Sequence, residues 1–249
     1  MRFVPPVPRR SALVVHVTLA AQVLTVAALV VFEHVRGRRL AREISALGGD
    51  PHAPGAQAVV GAVTVFAVLV MLVAVATVAG AAAYLTWLVQ ARQNAALSWT
   101  PALPVLAAWL VPGVNLVLPP LLVHRLWRAS RPPADRRPRW VALLAAWWLS
   151  WLATLAVAVI RLPFGAPHGN SDLTGLGLAD LAVVALGALL CAATVRQVTA
   201  IQAAGARASA HALTLAAQAG PFHVAAGGRR QSQARISSQP SPAVSKRSS

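Results

Sequence analysis

Charged residues, and acidic residues above all, are scarce in this sequence of 249 residues. Only 11% of the residues are charged, and 6 acidic residues stand against 22 basic ones, for a formal net charge of +16. A soluble domain carries about 25% charged residues. With 57% hydrophobic residues, the chain has too little polar surface to cover a globule in water. The composition therefore predicts a membrane protein.

The sequence also has only one cysteine and none of the common catalytic motifs. The single cysteine, Cys191, excludes an internal disulfide and a cysteine-based metal cluster, and its apolar surroundings are typical of a packed thiol. The sequence has no H-E-x-x-H, no G-x-S-x-G, no P-loop and no G-x-G-x-x-G motif. The few acidic residues are dispersed and offer no evident pair for acid–base chemistry. We therefore predict no enzymatic activity, no catalytic residue, no metal and no cofactor.

Four apolar runs are long enough to cross a bilayer, whose hydrocarbon core of about 30 Å needs about 20 helical residues. The first run ends without the small-residue cleavage site of a signal peptide, so we expect it to remain as a span. The predicted fold class is all-α, a polytopic membrane protein with four transmembrane helices plus a Pro- and Trp-rich re-entrant or interfacial helical hairpin. The predicted spans are 11–32, 58–90, 140–160 and 173–195, the last capped at its start by Asp172.

The segments between the spans complete the predicted organisation. Residues 1–10 are expected to form a cytoplasmic N-terminus and 196–249 a basic, largely disordered cytoplasmic tail, although its beginning can extend the last helix. We predict an extracytoplasmic loop at 33–57 and a short loop at 161–172. Residues 91–139 would hold the Pro- and Trp-rich segment and a basic loop.

The stretch "AWLVPGVNLVLPPLL" combines an apolar composition with residues that interrupt helices. Residues 101–111 would form about 16 Å of helix and reach roughly the bilayer midplane, where Pro112 and Gly113 favour a turn. A second helix can restart at Pro119, because proline is tolerated in a first turn. This favours a re-entrant hairpin, and a kinked fifth span remains the alternative. The positive-inside rule does not separate the two topologies, since either gathers most of the arginines on one side.

The basic residues, 21 of which are arginine, lie near span ends and in the tail. This distribution is typical of topology signals and of contact with anionic headgroups, so we predict no specific nucleic-acid binding. The expected partners are the lipid bilayer, with anionic headgroups on the cytoplasmic side, and proteins that bind the tail. We expect a multi-pass protein of a bacterial plasma membrane with both termini in the cytoplasm.

Several short motifs carry a family resemblance. In order they are "WLVQARQNA" at 87–95, "TPALPVLAAWLVPGVNLVLPP" at 100–120, "RLWRAS" at 125–130 and "WW" at 147–148. Together they resemble an actinobacterial membrane family named domain of unknown function 4328. The chain departs from the family's pattern at Leu110 and Pro120, where the family tends to have aromatic residues. The resemblance implies a membrane architecture and brings no known activity.

Three polar positions allow two interpretations each. Asn115 either lines a ligand or water-filled site or caps backbone groups that Pro112 and Gly113 leave free. Arg92 and Asn94 either bind lipid phosphates or anchor the helix end at the interface. Asp180 either marks a functional site within the last span or pairs with Arg161 at the outer interface.

The aromatic and proline residues of the shared motifs complete the candidate set. An interfacial belt explains Trp87, Trp127 and Trp140, and Tyr84 also lies where interfacial aromatics are expected. The Trp pair at 147–148 lies too deep for such a belt. The full set of candidate functional or structural residues is Trp87, Arg92, Asn94, Trp109, Pro112, Asn115, Pro119, Trp127, Arg128, Trp147, Trp148 and Asp180.

Two functions compete on this sequence. The first is a non-enzymatic membrane scaffold or a protein that interacts with lipids or partner proteins, favoured by the arginine clusters. The alternative is a small-solute channel or transporter that uses the broken segment 101–124, since interrupted membrane helices often present their ends to substrates.

Overall fold

A computed structural model describes residues 9–46, 56–95, 109, 111–161 and 174–218. These residues contain no strand, which confirms the predicted all-α class. A π-helical turn, Glu33–Gly37, follows the first helix, and a 3-10 turn, Ala134–Arg136, precedes the sixth. The helices are α1 Arg9–Phe32, α2 Arg38–Ala46, α3 Ala56–Asn94, α4 Pro112–Asn115, α5 Leu118–Ala129, α6 Arg137–Arg161 and α7 Leu178–Gln218.

Four helical stretches are long and apolar enough to cross a membrane, in agreement with the predicted number of spans. They are Arg9–Ala46, Val59–Asn94, Ala134–Val157 and Leu178–Gln218. The predicted residues 11–32, 58–90 and 140–160 fall inside α1, α3 and α6.

The helices differ from the predicted segments at two places. The predicted loop 33–57 is helical as far as Ala46, because Leu40 is buried and Arg39 pairs with Glu43 one turn later at 2.8 Å. The last helix begins at Leu178 instead of 173, after Gly175 adopts a positive φ of 68°. Asp172, residues 101–108 and the tail from 219 lie outside the described residues, while 196–218 continue α7.

The chain divides into two compact units, residues 1–203 and 204–249. In the first unit α1 and α3 are antiparallel neighbours: the rings of Phe32 and Phe66 lie 6.2 Å apart, and Gln22 Nε2 donates to Thr77 Oγ1 at 3.3 Å. The second unit contributes the last part of α7 to the described residues.

The two ends of the first unit are held together by different contacts. At one end, called the basic end, the start of α1 shares a buried core with α3, α5, α6 and α7 through Ala12, Trp87, Trp127, Trp140 and Val198. At the other, called the distal end, the Glu33 carboxylate accepts hydrogen bonds from the backbone N–H groups of Thr174 and Gly175, both at 2.7 Å.

Candidate functional site

A cavity of about 420 Å³ lies between α1, α3, α6 and α7, with Trp109 and α4 on its border. Gln22, Gly80, Thr154 and Gly187 line it, and each is well inside its own helix. The cavity therefore lies between the candidate spans and not at the connections that join them. Its volume is in the range of protein sites for small molecules, about 300–1,000 Å³.

Glycines shape two walls of the cavity. A Cβ added to Gly80 would meet Gln22 Oε1 at 3.6 Å, and one added to Gly187 would meet Thr154 Oγ1 at 3.6 Å. These are ordinary contact distances, so α1 approaches α3, and α6 approaches α7, closely enough that larger side chains at these glycines would extend into the packed region.

Aromatic rings form much of the remaining wall. The Tyr84 ring centroid lies 5.3 Å from that of Trp109 and 6.1 Å from that of Trp147. Trp151 meets Trp109 edge-on at 6.0 Å, and Trp148, outside the cavity lining, stacks on Trp151 at 5.0 Å. Edge-to-face and offset pairs at such distances stabilise packing beyond their buried area. The motif residues Trp109, Trp147 and Trp148 thus belong to one aromatic cluster.

Three side chains that line the cavity carry buried polar atoms without a hydrogen-bond partner among the described residues. They are the Tyr84 hydroxyl, Trp109 Nε1 and Asn115 Oδ1. Most buried polar groups in proteins are paired, and an unpaired one costs about 1–3 kcal/mol. Asn115 Oδ1 caps no described backbone group, so its geometry agrees with the interpretation in which the amide lines a site.

The two prolines among the candidate residues lie in the first turns of short helices. Pro112 is in the first turn of α4, after the extended residue Val111, and Pro119 is in the first turn of α5. A proline there loses no hydrogen bond, because the first amide groups of a helix have no partner within it. This is the helix restart expected at Pro119.

The basic end forms a second, separate group of candidate residues. Trp127 stacks on Trp140 with centroids 5.3 Å apart and planes 2° apart, and Trp140 Nε1 donates to His124 Nδ1 at 3.3 Å. Desolvation lowers the pKa of His124, and the charges of Arg128 and Arg137 lower it further. A neutral imidazole at neutral pH fits its role as acceptor.

Helix ends meet behind this aromatic stack. Trp87 is fully buried and its Nε1 donates to Thr199 Oγ1 at 3.2 Å. Gln202 Nε2 donates to Ala91 O at 2.8 Å and to Ser130 Oγ at 3.3 Å, which joins α7 to the ends of α3 and α5. An interfacial belt predicts exposed rings, so the burial of Trp87, Trp127 and Trp140 contradicts that interpretation for all three residues.

Arginines cover the outside of the basic end. Arg92 and Asn94 are half-buried at the end of α3, and both interact with other groups of the protein. Six arginines between α5 and the start of α6 are exposed: Arg125, Arg128, Arg131, Arg136, Arg137 and Arg139. Asp135 is the acidic residue among them.

Comparison with known proteins gives a family and no closer relative. A match to the family described as domain of unknown function (DUF4328) covers residues 50–203, more than half of the chain. The chain belongs to this family. No curated protein and no solved structure is significantly similar to it. The DUF4328 region includes α3 to α6 and the part of α7 that lies in the first unit, so it supplies every cavity residue named above except Gln22.

Asp180 is separate from both groups in the DUF4328 region. It is the third residue of α7, and its Oδ2 accepts the backbone N–H of Gly177 at 2.9 Å. A carboxylate there satisfies a free amide and interacts favourably with the helix dipole. Because α7 begins later than predicted, Asp180 lies at a helix start instead of seven residues into a span, and it does not line the cavity. The side chain of Arg161 lies outside the described residues.

Several cavity residues of this DUF4328 protein are not recognisable from the sequence alone. Tyr84 was expected at an interface, yet only 7% of it is exposed. Gln22, Thr77 and Thr154 belong to no motif, because each is an isolated polar residue in an apolar run. Their common signal is position: each lies inside its predicted span, where polar side chains are costly.

Among the described residues, no three His, Cys, Asp or Glu side chains lie close enough together to hold a metal ion. The arrangement can instead bind a small molecule in the cavity or anionic groups at the basic end.

Proposed function

We propose that this DUF4328 protein is a non-enzymatic integral protein of a bacterial plasma membrane, whose basic end lies in the cytoplasm and binds anionic lipid headgroups. The observation that carries the proposal is the set of exposed arginines from Arg125 to Arg139, next to helices that are apolar enough to cross a membrane. Each arginine near an anionic surface contributes about 1 kcal/mol of attraction. The tail offers a further basic segment for protein partners.

The amphipathic helix α5 supports an interfacial position for this surface. Val123, Leu126 and Trp127 are buried on one face, while Arg125 and Arg128 are exposed on the other. A helix with this pattern lies with its apolar face against protein or acyl chains and its arginines at the level of the phosphates.

The contacts at the basic end favour four spans and a re-entrant segment over five spans. The start of α1 packs in the same core as Trp127 and Trp140, so the N-terminus and the arginine-rich connection belong to the same end. Ala91, before the broken segment, and Ser130, after it, both bind Gln202, whereas Asn115 between them borders the cavity. We infer that the segment enters the membrane and returns to the same side.

Cysteine labelling tests this topology. Cys191→Ala removes the native thiol, and Ser45→Cys introduces an exposed one in α2, beyond the distal end. A membrane-impermeant maleimide should label Ser45→Cys in intact cells, because four spans put α2 outside. Labelling only after lysis would place α2 in the cytoplasm and contradict the proposal.

The lipid interaction is tested with purified protein in mixed micelles. Addition of phosphatidylglycerol should raise the thermal midpoint of the native protein more than phosphatidylcholine does. The double variant Arg125→Gln/Arg128→Gln should lose part of this difference, while the control Arg38→Gln/Arg42→Gln, with the same charge change on exposed residues of α2, should keep it. Equal losses in both variants would mean that net charge alone is responsible.

The alternative function, a small-solute channel or transporter, has one observation in its favour: Asn115 of the broken segment lines a cavity between the candidate spans. This alternative predicts that proteoliposomes with the native protein take up glycerol or urea faster than empty ones do, and that Asn115→Leu abolishes the difference without loss of protein. Equal rates with and without protein exclude it for these solutes.

A further inference from the structure

The part of the cavity lining that the structure describes is uncharged. The described residues that border the cavity include four aromatic side chains and the neutral polar groups of Gln22, Thr77 and Thr154, but no Asp, Glu, Lys, Arg or His. Burial of an unpaired charge in a low-dielectric site is far more costly than burial of a neutral polar group. A molecule that fits this lining is therefore neutral.

The polar atoms without partners determine which hydrogen-bonding groups the bound molecule needs. Trp109 Nε1 can only donate a hydrogen bond, Asn115 Oδ1 can only accept one, and the Tyr84 hydroxyl can do either. A ligand group that both accepts and donates satisfies at least two of these atoms at once. A hydroxyl or an amide can pair with all three, because it accepts from Trp109 and Tyr84 and donates to Asn115, whereas a ketone or an ether leaves the Asn115 oxygen without a donor and a hydrocarbon leaves all three atoms unpaired.

The aromatic walls of the cavity favour a ligand that contains a ring. The indoles of Trp109, Trp147 and Trp151 and the phenol of Tyr84 face the cavity, and pairs of them already meet edge-on or tilted. Flat ligands gain from such contacts beyond the area that they bury. Thr77, on the side between α1 and α3, is exposed, so this side of the cavity borders the outer surface of the helices. In a membrane that surface meets acyl chains, from which an apolar molecule can enter.

We propose that the cavity between α1, α3, α6 and α7 is a binding site for a neutral, ring-bearing, mainly apolar molecule whose polar group is a hydroxyl or an amide, held by Tyr84, Trp109 and Asn115. The site is distinct from the arginines of the basic end. It neither requires nor excludes headgroup binding there.

The experiment measures binding of three naphthalene probes to the full-length protein in nanodiscs of one lipid composition, by energy transfer from tryptophan to the probe. The first probe, 2-naphthol, is neutral at pH 7, and its hydroxyl both donates and accepts hydrogen bonds. The second, 2-methoxynaphthalene, has a similar shape and only accepts, and the third, 2-naphthoate, is an anion. We expect saturable binding of 2-naphthol, about tenfold weaker binding of the ether, as for loss of a buried hydrogen bond, and none of the anion.

Two variants separate the cavity from the surrounding lipid. Gly80→Leu extends a side chain into the wall of the cavity and should abolish saturable binding. Gly61→Leu is its matched control: it lies on the same helix, where an added Cβ meets nothing within 4 Å, and binding should be unchanged. Tyr84→Phe keeps the ring and should weaken the binding of 2-naphthol about three- to tenfold.

Other results overturn the proposal. Equal saturable binding of 2-naphthol and its ether would assign the cavity to any apolar molecule, lipid acyl chains included. Non-saturable uptake that is identical in the native protein and Gly80→Leu would mean that the probes only partition into lipid. If Gly80→Leu does not fold, Tyr84→Phe decides, because the proposal fails when the affinity for 2-naphthol is unchanged in that variant.

Discussion

Tyr84→Phe is expected to stabilise the protein when no ligand is added. The Tyr84 ring packs on Trp87, Trp109 and Trp147, and phenylalanine keeps these contacts because only the hydroxyl is removed. That hydroxyl is buried without a partner among the described residues. An unpaired buried polar group costs about 1–3 kcal/mol, so its removal should raise the free energy of unfolding by about 1 kcal/mol or more.

Thr199→Val provides the comparison of opposite sign. It removes the hydroxyl that accepts the Trp87 Nε1 hydrogen bond at 3.2 Å and leaves that donor unpaired in a fully buried indole. Valine has nearly the shape of threonine, so the expected loss of about 1–3 kcal/mol comes from the hydrogen bond. One variant thus removes an unpaired polar atom, and the other creates one.

Thermal unfolding in one detergent, followed by tryptophan fluorescence, measures both effects. At about 2–4 °C per kcal/mol for a chain of this size, Tyr84→Phe should raise the midpoint by a few degrees and Thr199→Val should lower it. Saturating 2-naphthol should reduce or reverse the advantage of Tyr84→Phe, because the hydroxyl then has a partner. A midpoint that falls in Tyr84→Phe as it does in Thr199→Val would refute the argument that this hydroxyl is unsatisfied.

Three further predictions concern the ends of the first unit. Glu33→Ala leaves two backbone N–H groups and the Thr174 hydroxyl without an acceptor, so it should lower the free energy of unfolding by about 2–4 kcal/mol. Glu33→Gln should retain most of the stability, and equal thermal midpoints for the two variants would contradict this prediction. Trp127→Ala removes a buried ring stacked on Trp140 and should lower the free energy of unfolding by about 3–5 kcal/mol, whereas Leu121→Ala, at an exposed residue, should lower it by less than about 1 kcal/mol. Similar losses in the two variants would show that the stacked ring adds no special stability. Because the pKa of His124 is lowered in the folded state, the stability that neutral His124 contributes is present above its unfolded pKa and is lost as the pH falls toward the folded pKa. His124→Gln should therefore flatten the decline of the thermal midpoint between pH 7 and pH 5. Parallel midpoint curves for the native protein and the variant would argue against a stabilising role of neutral His124.

The helices could be predicted from the sequence because each span is a local property. An apolar run of about 20 residues between arginines or prolines predicts a membrane helix without knowledge of its neighbours, and α1, α3 and α6 contain the predicted spans. The start of α7 could not be predicted in this way. The apolar composition of "LTGLGL" continues the span toward its N-terminus, while the positive φ of Gly175 ends the regular backbone before Leu178.

The cavity depends on distances between helices, which hydropathy does not contain. The pairing of Gln22 with Thr77 joins residues 55 positions apart, and nothing in either local sequence indicates the other. Asn115 was identified because an amide between helix breakers is unusual on its own. Tyr84 was misassigned because an aromatic residue near the polar end of an apolar run is the usual pattern of an interface, and only packing distinguishes a buried ring from an exposed one.

The same contacts explain why the central stretch contains Pro112 and Pro119. Pro112 and Pro119 occupy first turns, where a missing N–H costs nothing, so both helices begin with little loss of backbone hydrogen bonding. Asn115 ends α4 and lines the cavity, while α5 leads on to Ser130, whose hydroxyl accepts a hydrogen bond from Gln202 at the basic end. Asn115 thus lines the same cavity as Tyr84 and Trp109, and these three residues carry its unpaired polar atoms.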